Sequence, residues 1–136
     1  MHDPLLSYPG YSLRRANNAL MAELAGRLVP LGMRQTEASL MMLIGANPGV
    51  TASALGRQID IQRANMVPLL NRLEDAGLIT RAPIDRKSQG LELTAEGREK
   101  LSQVVSEIDR FEREMLDRVP KEHRDHLLPA LQALWR

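Results

Sequence analysis

Cysteine, aromatic residues and long apolar runs are scarce in this sequence, and each scarcity excludes a class of protein. The chain of 136 residues has no cysteine, which excludes a disulfide framework, a cysteine-ligated metal centre and a thiol-based redox sensor. Its four aromatic residues are too few for the stacking platforms that bind single-stranded nucleic acid. The most apolar stretch, Leu40–Ile44, is far shorter than the roughly 20 residues that span a membrane. Since no targeting segment is visible, we expect a cytoplasmic protein without membrane association.

The net charge is also small, at +1, which at first sight argues against a protein that binds nucleic acid. The total conceals an uneven distribution, because residues 51–90 carry six basic and four acidic groups, whereas residues 91–136 carry eight and ten. Fifteen of the 18 basic residues are arginine, whose planar guanidinium suits phosphates and guanine edges. A DNA-binding role therefore stays open, and the length favours one domain with a real core.

Apolar spacing and turn residues predict a mainly helical first half. Residues 1–11 contain two prolines and a glycine and are expected to form an irregular arm before a helix over about 12–29. Thr36 is the expected N-cap of a second helix. That helix should end before the turn Asn47-Pro48-Gly49.

The middle of the chain has the pattern of a winged helix. A short helix that begins at its cap Thr51, a tight connection, and a longer helix from about Arg63 to Ala76 predict a helix-turn-helix. A short strand-like run, 78–81, and an alternating run, 91–94, flank a polar loop and predict a two-stranded hairpin. Pro68 lies inside the second helix and should either kink it or reshape its outer surface.

The C-terminal part predicts a long amphipathic helix over 95–118, capped by Thr94. Apolar residues recur there at steps of three and four, an a/d seam of about two heptads that suits packing on a partner helix. The residues of this seam are Leu101, Val104, Ile108, Phe111 and Met115. After Pro120 comes a last apolar helical stripe, in which Pro129 should kink the helix or delay its start.

Several short motifs follow one another in the middle of the chain at regular spacings. They are Asn47-Pro48-Gly49-Val50-Thr51, the run from Asn71 to Ile79, Asp85-Arg86-Lys87-Ser88, and the run from Leu91 to Gly97. This ordered set resembles the MarR family of winged-helix transcriptional regulators. The resemblance implies a single domain over 1–136 that is mainly α with a small β-hairpin wing. In it, a winged helix-turn-helix DNA-binding lobe (33–94) is flanked by N- and C-terminal dimerisation helices (12–32 and 95–136).

The same resemblance implies what the protein does. We expect a homodimer that binds double-stranded DNA, with a recognition helix in the major groove and a wing in the minor groove. The function is then that of a sequence-specific transcriptional regulator, a repressor of a pseudo-palindromic operator that a small aromatic or anionic ligand releases. No enzyme activity and no cofactor are expected, because the sequence shows neither a catalytic constellation nor a phosphate-binding loop.

Departures from the family pattern keep two alternatives open. The wing loop is shorter than usual, Lys87 stands where the family most often has arginine, and Val67 and Pro68 stand where arginine and threonine are frequent. These departures are compatible with a winged helix that binds another protein instead of DNA. His123 and His126 share a helix face and keep a metal-responsive regulator open, although we expect no metal site because further ligands are missing.

Candidate DNA-binding residues follow from the placement of the motifs. Arg63, Asn65 and Val67 begin the recognition helix and suit guanine, adenine and a thymine methyl group, respectively. Asn71 and Arg72 share that face. Arg72 either contacts a phosphate or pairs with one of three carboxylates. These are Glu74, Asp75 and Asp85.

The remaining candidate residues have three predicted roles: phosphate contact, formation of the wing and ligand binding. Backbone and polar groups of the first helix of the motif should meet phosphates through Thr51, Ser53, Arg57 and Gln58. Within the wing, Asp85 is expected to be an anchor. Its neighbours Arg86, Lys87 and Ser88 should reach DNA. A ligand site could be formed by Arg14, Arg15, Met21, Met41 and Met42; the alternative is that these are ordinary core methionines and surface arginines.

Overall fold

The computed structural model describes all 136 residues, and α-helices account for most of them. The helices are α1 (Pro9–Leu28), α2 (Gln35–Ala46), α3 (Ala52–Gln58), α4 (Arg63–Asp75), α5 (Ala95–Asp117) and α6 (Arg124–Gln132). Strands β1 (Ile79–Pro83) and β2 (Gln89–Leu93) form one antiparallel hairpin. Short 3-10 turns occupy Pro4–Ser7, Val29–Leu31 and Lys121–His123. The predicted fold class, a mainly α chain with a small β-hairpin wing, is confirmed.

The chain divides into two compact units, which we call the central unit (residues 25–105) and the terminal unit (residues 1–24 and 106–136). Of the 15 buried apolar side chains, all except Phe111 belong to the central unit. This division falls inside α1 and α5, whereas the predicted functional boundaries lie near residues 32 and 94. The single functional domain over 1–136 therefore stays a prediction. No helix has both the length and the apolar character that crossing a membrane requires.

Helix α4 shows how apolar spacing builds the core of the central unit. Met66, Leu70 and Leu73 recur at helical spacing and are all buried. Burying side chains of this size stabilises a fold by about 1.5–3 kcal/mol each. Because these residues cover one stripe of α4, the opposite stripe remains exposed to solvent.

A close backbone contact joins the hairpin to the start of α5. The Thr94 hydroxyl donates to the Gly77 carbonyl at 2.6 Å and accepts from the Gly97 amide at 2.9 Å. A Cβ atom on Gly97 would lie 2.0 Å from the Leu78 carbonyl oxygen. Gly77, which follows the C-cap Ala76 of α4, has a φ of 74°, as expected for the residue at which the chain leaves a helix. The caps predicted at Thr94 and Gly77 are thus present, and only glycine fits at position 97.

In the terminal unit, an ion pair between Arg118 and Glu23 joins α1 to the residues that follow α5. Arg118 Nη2 donates to both carboxylate oxygens of Glu23, at 2.8 and 2.9 Å. Phe111, with 1% of its surface exposed, is the buried apolar side chain of this unit. The unit therefore has one fully buried aromatic ring and an ion pair between its two segments.

Two predicted helix starts were wrong. The arm predicted over residues 1–11 is ordered: Asp3 Oδ1 accepts from the Leu5 amide at 3.0 Å, and α1 begins at Pro9. Proline fits a first helical position because its missing amide would have no helical partner there. Helix α2 begins at Gln35 and not after Thr36. The reason is that the Glu37 carboxylate reaches back to the Arg34 amide at 3.4 Å.

The delayed start predicted for the last helix and the predicted strand bounds also need correction. Helix α4 runs unbroken through Pro68, and α6 begins at Arg124, so Pro129 does not delay it. The hairpin extends further than predicted, because Pro83 pairs with Gln89 at its end. Proline is tolerated there because β1 is an edge strand of a two-stranded sheet.

Candidate nucleic-acid interface

Helices α3 and α4 are joined by local hydrogen bonds that fix the helix-turn-helix. Thr51 Oγ1 accepts from the Ala54 amide at 3.2 Å, which confirms the cap predicted for α3. The connection bends sharply, as Asp60 adopts a φ of 53° and the Ile61 amide donates to the Gly56 carbonyl at 2.9 Å. This turn positions the first residues of α4 at the surface.

The exposed stripe of α4 carries the residues predicted to read bases. Arg63, Asn65 and Val67 are all exposed, and 44% of the Val67 surface is accessible. Met66 and Leu70, on the opposite stripe, belong to the core. A guanidinium, a carboxamide and an apolar group therefore face solvent together on the first two turns of this helix.

A groove of about 480 Å³ lies between the start of α3, the exposed stripe of α4 and the hairpin. Its four basic side chains are Arg63, Arg81, Arg86 and Lys87. Asp85 is the single carboxylate among its lining residues. Of the predicted DNA-binding residues, the groove brings together Thr51, Ser53, Arg63, Val67, Arg86, Lys87 and Ser88. Residues from three elements thus form one concave basic surface.

The other predicted contacts lie outside this groove. Arg57 lines a shallower depression that it shares with Ser53, Asp60 and Arg63. Gln58 and Asn65 are exposed on α3 and α4. This second depression adjoins the first through Ser53 and Arg63, so the basic surface continues along α3.

The tip of the hairpin is a closed turn built on Asp85. One oxygen of its carboxylate, Oδ1, accepts from the amides of both Lys87 and Ser88 at 2.8 Å. The Ile84 amide also donates to the Ser88 carbonyl at 2.9 Å. Asp85 has the bonds expected of a wing anchor, and it leaves the side chains of Arg86 and Lys87 exposed at the tip.

Arg81 is a residue of the groove that the sequence analysis missed. Its Nε donates to Glu74 Oε2 at 3.0 Å, and its Nη2 donates to Asn71 Oδ1 at 2.7 Å. These bonds connect β1 to the C-terminal half of α4 and engage the predicted DNA contact Asn71. The available signal was strand alternation, which places Arg81 on the same face of β1 as the buried Ile79.

Arg72 pairs with a carboxylate that was not among the three considered. Its Nη1 lies 3.3 Å from Oε1 of Glu37 on α2, a side chain that is only 2% exposed. The two atoms are close enough for an ion pair, but their geometry is not that of a hydrogen bond. The predicted partner Glu74 is instead bonded to Arg81.

The residues of the predicted ligand site have different environments. In the terminal unit, the guanidinium carbons of Arg14 and Arg15 lie 5.4 and 5.7 Å from the centre of the Tyr11 ring. Arg15 Nη1 also donates to the Tyr11 hydroxyl at 2.8 Å. Met21 and Met42 are exposed, whereas Met41 is fully buried in the central unit. Burial favours the interpretation of Met41 as a core residue.

The predicted dimer seam on α5 is only partly exposed. Val104 and Phe111 are buried within the single chain. Leu101, Ile108 and Met115 are half-buried and keep some free surface. His123 and His126 are exposed. No group of three or more histidine, cysteine, aspartate or glutamate side chains is arranged to hold a metal ion.

Comparison with known proteins relates this surface to a family. Residues 31–88 match the MarR family model. The putative transcriptional regulatory protein for the hcr operon of Thauera aromatica is 28% identical over an alignment of 139 positions, which covers 100% of this chain and 84% of that protein. The HTH-type transcriptional repressor Rv2887 of Mycobacterium tuberculosis is 32% identical over 91 residues, 65% of this chain and 66% of the repressor.

Solved structures agree over nearly the whole length. The transcriptional repressor CouR bound to a 23-mer DNA duplex superposes with a TM-score of 0.92 at 30% identity, covering 100% of this chain and 99% of CouR. CouR bound to p-coumaroyl-CoA gives 0.87 at 27% identity, over 100% and 97% of the two chains. Rv2887 in complex with salicylic acid gives 0.75 at 26% identity, over 93% and 96%. The chain therefore belongs to the MarR family of transcriptional regulators.

Proposed function

We propose that this protein is a sequence-specific DNA-binding repressor that acts as a homodimer and is released by a small aromatic or anionic ligand. The groove between α3, α4 and the hairpin carries the proposal, because it gathers four basic side chains around a single carboxylate. Similarity to CouR in complex with a DNA duplex and to Rv2887 in complex with DNA supports the same function. Accordingly, the protein would bind nucleic acid in the cytoplasm and catalyse no reaction.

Sequence would be read by the exposed stripe of α4 in the major groove. Arg63 suits the two acceptors of guanine, Asn65 the donor and acceptor of adenine, and Val67 the methyl group of thymine. Each well-placed bidentate pair contributes about 1–3 kcal/mol of discrimination against the wrong base. The small net charge of +1 implies modest non-specific affinity, so binding would depend on these few contacts.

Other residues of the surface would position the protein without reading sequence. On α3, the candidates for phosphate contact are Thr51, Ser53, Arg57 and Gln58. On the wing, Arg86, Lys87 and Ser88 would enter the minor groove, where a narrow groove attracts arginine. The side chains of Asn71 and Arg72 contact Arg81 and Glu37, respectively. These two residues would therefore support the position of α4 and would not contact DNA themselves.

Exposed apolar side chains of the terminal unit support the homodimer. They are Leu5, Leu6, Tyr8, Leu13, Leu128, Leu134 and Trp135, with exposures from 44% to 72%. A second copy would cover these side chains, together with the free surface of Leu101, Ile108 and Met115 on the seam. Two-fold symmetry would then present two recognition helices to half-sites about 10–10.5 bp apart, which is the geometry of a pseudo-palindromic operator.

The ligand class follows from relatives and from exposed groups. CouR is seen with p-coumaroyl-CoA and Rv2887 with salicylic acid, which are both aromatic and anionic. In the terminal unit, Arg14 and Arg15 offer positive charge beside the Tyr11 ring, and Met21 offers exposed, adaptable apolar surface. Release from DNA requires that the ligand bind the DNA-free conformation more tightly than the DNA-bound one.

Selection of bound duplexes from a random pool tests the proposal directly. We expect an enriched palindrome whose affinity falls steeply with salt, because basic side chains displace counterions from phosphates. The selection is then repeated twice, once with salicylate and once with p-coumaroyl-CoA. One of the two ligands should reduce the amount of duplex that the protein retains. A salt-insensitive affinity without an enriched sequence would contradict the proposal and favour a winged helix that binds another protein.

Arg63→Ala tests the assignment of base reading. The variant should lose about 1–3 kcal/mol of operator affinity and tolerate any base at one position, because a base contact is lost. Affinities for a panel of operators with single changes measure both effects. Arg113→Ala, at an exposed position of α5, is the matched control and should bind like the wild type. If Arg63→Ala weakens all duplexes equally, Arg63 contacts a phosphate instead.

A further inference from the structure

Glu37 is the one buried charged side chain of the protein. Its Oε2 accepts from the Arg34 amide at 3.4 Å, and its Oε1 lies 3.3 Å from Arg72 Nη1 without a hydrogen bond. A carboxylate in such a place is unfavourable unless an opposite charge compensates it. Arg72 provides that charge, so Glu37 and Arg72 depend on each other.

The ion pair restrains both of its side chains. Glu37 is in the first turn of α2, where the backbone amides at the helix start favour a negative charge and hold the carboxylate in place. Arg72 is in the C-terminal half of α4, and 48% of its side chain is exposed. Its guanidinium therefore reaches from the surface towards a buried carboxylate, which keeps it from turning freely towards a phosphate.

A second connection acts on the same half of α4 from the wing. Arg81 on β1 bonds to Asn71 and Glu74, which flank Arg72 in sequence. Two elements, α2 and β1, thus hold the C-terminal half of α4 by charge. The N-terminal half carries Arg63 and Asn65, the side chains proposed to read bases, and contacts that fix the C-terminal half also set the direction of the N-terminal half, because both belong to one helix.

We propose that Glu37 is a positioning residue for DNA recognition: through Arg72 it sets the orientation of α4, and Arg72 is withheld from the DNA backbone. The inference rests on the proposed function, in which α4 reads base pairs. It assigns to Arg72 a role other than the phosphate contact that its charge and position on the recognition helix suggest.

Glu37→Gln is the sharpest test, because it keeps the shape of the side chain and removes its charge. We expect about tenfold weaker binding of the selected operator, within the range of measured couplings between sites. Binding of a random duplex and the slope of log affinity against log salt should not change, because no phosphate contact is lost. Glu99→Gln, at an exposed position of α5, is the matched control and should bind like the wild type.

Variants of Arg72 complete the test. Arg72→Met should lose operator affinity to the same extent as Glu37→Gln, Arg72→Lys should restore part of it, and the double variant should be no worse than either single one. The inference is overturned if Arg72→Met reduces the salt slope by about one, the change expected on losing a phosphate contact. It is also overturned if Glu37→Gln binds the operator like the wild type.

Amide hydrogen exchange without DNA separates this inference from the proposed function. In Glu37→Gln, amides of α4 should exchange faster relative to those of α3 and α5, since α4 loses a restraint that the other helices do not share. Equal protection of α4 in the variant and the wild type overturns the inference, whatever the DNA result. Failure of the wild type to select any duplex contradicts the proposed function, and hydrogen exchange still decides whether Glu37 holds α4.

Discussion

The central and terminal units contain similar apolar stripes but use them differently. In the central unit, 14 buried apolar side chains form a core within the chain. In the terminal unit the helices are equally regular, yet Phe111 alone is buried, and several large apolar residues face solvent. Apolar spacing therefore identifies the face of a helix that will be buried, but not whether the same chain or a second copy will cover it.

Gly97→Ala tests the close backbone contact between α5 and Leu78 in the central unit. Of the variants considered, it should have the largest effect, a loss of stability. The added Cβ would meet the Leu78 carbonyl oxygen at 2.0 Å, so backbone must move. We expect a loss of about 3–5 kcal/mol in the free energy of unfolding, measured by urea denaturation.

Gly26→Ala is the control for this substitution. Gly26 is also helical, and no atom lies within 4 Å of its added Cβ. Alanine there should stabilise the protein by up to about 1 kcal/mol. A loss at Gly97 smaller than about 1 kcal/mol would show that the contact with Leu78 is loose.

Removing exposed apolar surface from the terminal unit should have the next largest effect. The double variant Leu128→Ser and Trp135→Ser should weaken dimerisation by about 2–4 kcal/mol, which is roughly 30- to 1,000-fold in the dimer Kd. Sedimentation over a range of concentrations measures this change.

The matched control for assembly is Ile84→Ser, since Ile84 is an exposed apolar residue of the central unit (58%). It should leave the dimer Kd unchanged. If the control weakens assembly and the double variant does not, the surface that assembles belongs to the central unit, and the comparison between the units fails.

The smallest expected effect concerns the turn between α3 and α4. Asp60 has a φ of 53°, which is unfavourable for residues with a Cβ but tolerated by aspartate. Asp60→Gly should raise the free energy of unfolding by about 0.5 kcal/mol, whereas Asp60→Val should lower it by about 1–2 kcal/mol. Thermal unfolding of the two variants measures the difference. Equal stabilities would mean that the turn rearranges at little cost.

Features encoded by neighbouring residues could be predicted from the sequence. Thr51 caps α3, Gly77 ends α4, and Asp85 closes the wing turn because each bonds to, or is shaped by, backbone only a few positions away. The same holds for the apolar stripe of α4, whose period is local. These elements were sufficient to predict a winged helix.

What could not be predicted depends on distant partners. The pairing of Arg72 with Glu37 joins two helices that are far apart in sequence, and no local pattern favours Glu37 over Glu74. Arg81 was missed because its partners, Asn71 and Glu74, belong to a helix and not to its own strand. The start of α2 was misplaced for a local reason: the Glu37 carboxylate reaches back three residues to Arg34, and Thr36 is a good cap that is not used.

The closed turn at Asp85 has a thermodynamic consequence for binding. Two amides bonded to one carboxylate oxygen hold the wing tip in shape before it meets a partner. An unstructured loop would lose about 1–2 kcal/mol of conformational entropy for each residue that binding fixed, a cost that the preformed tip largely avoids. Calorimetry should therefore find a heat-capacity change that matches the surface buried in a rigid interface, without the additional decrease that accompanies folding on binding.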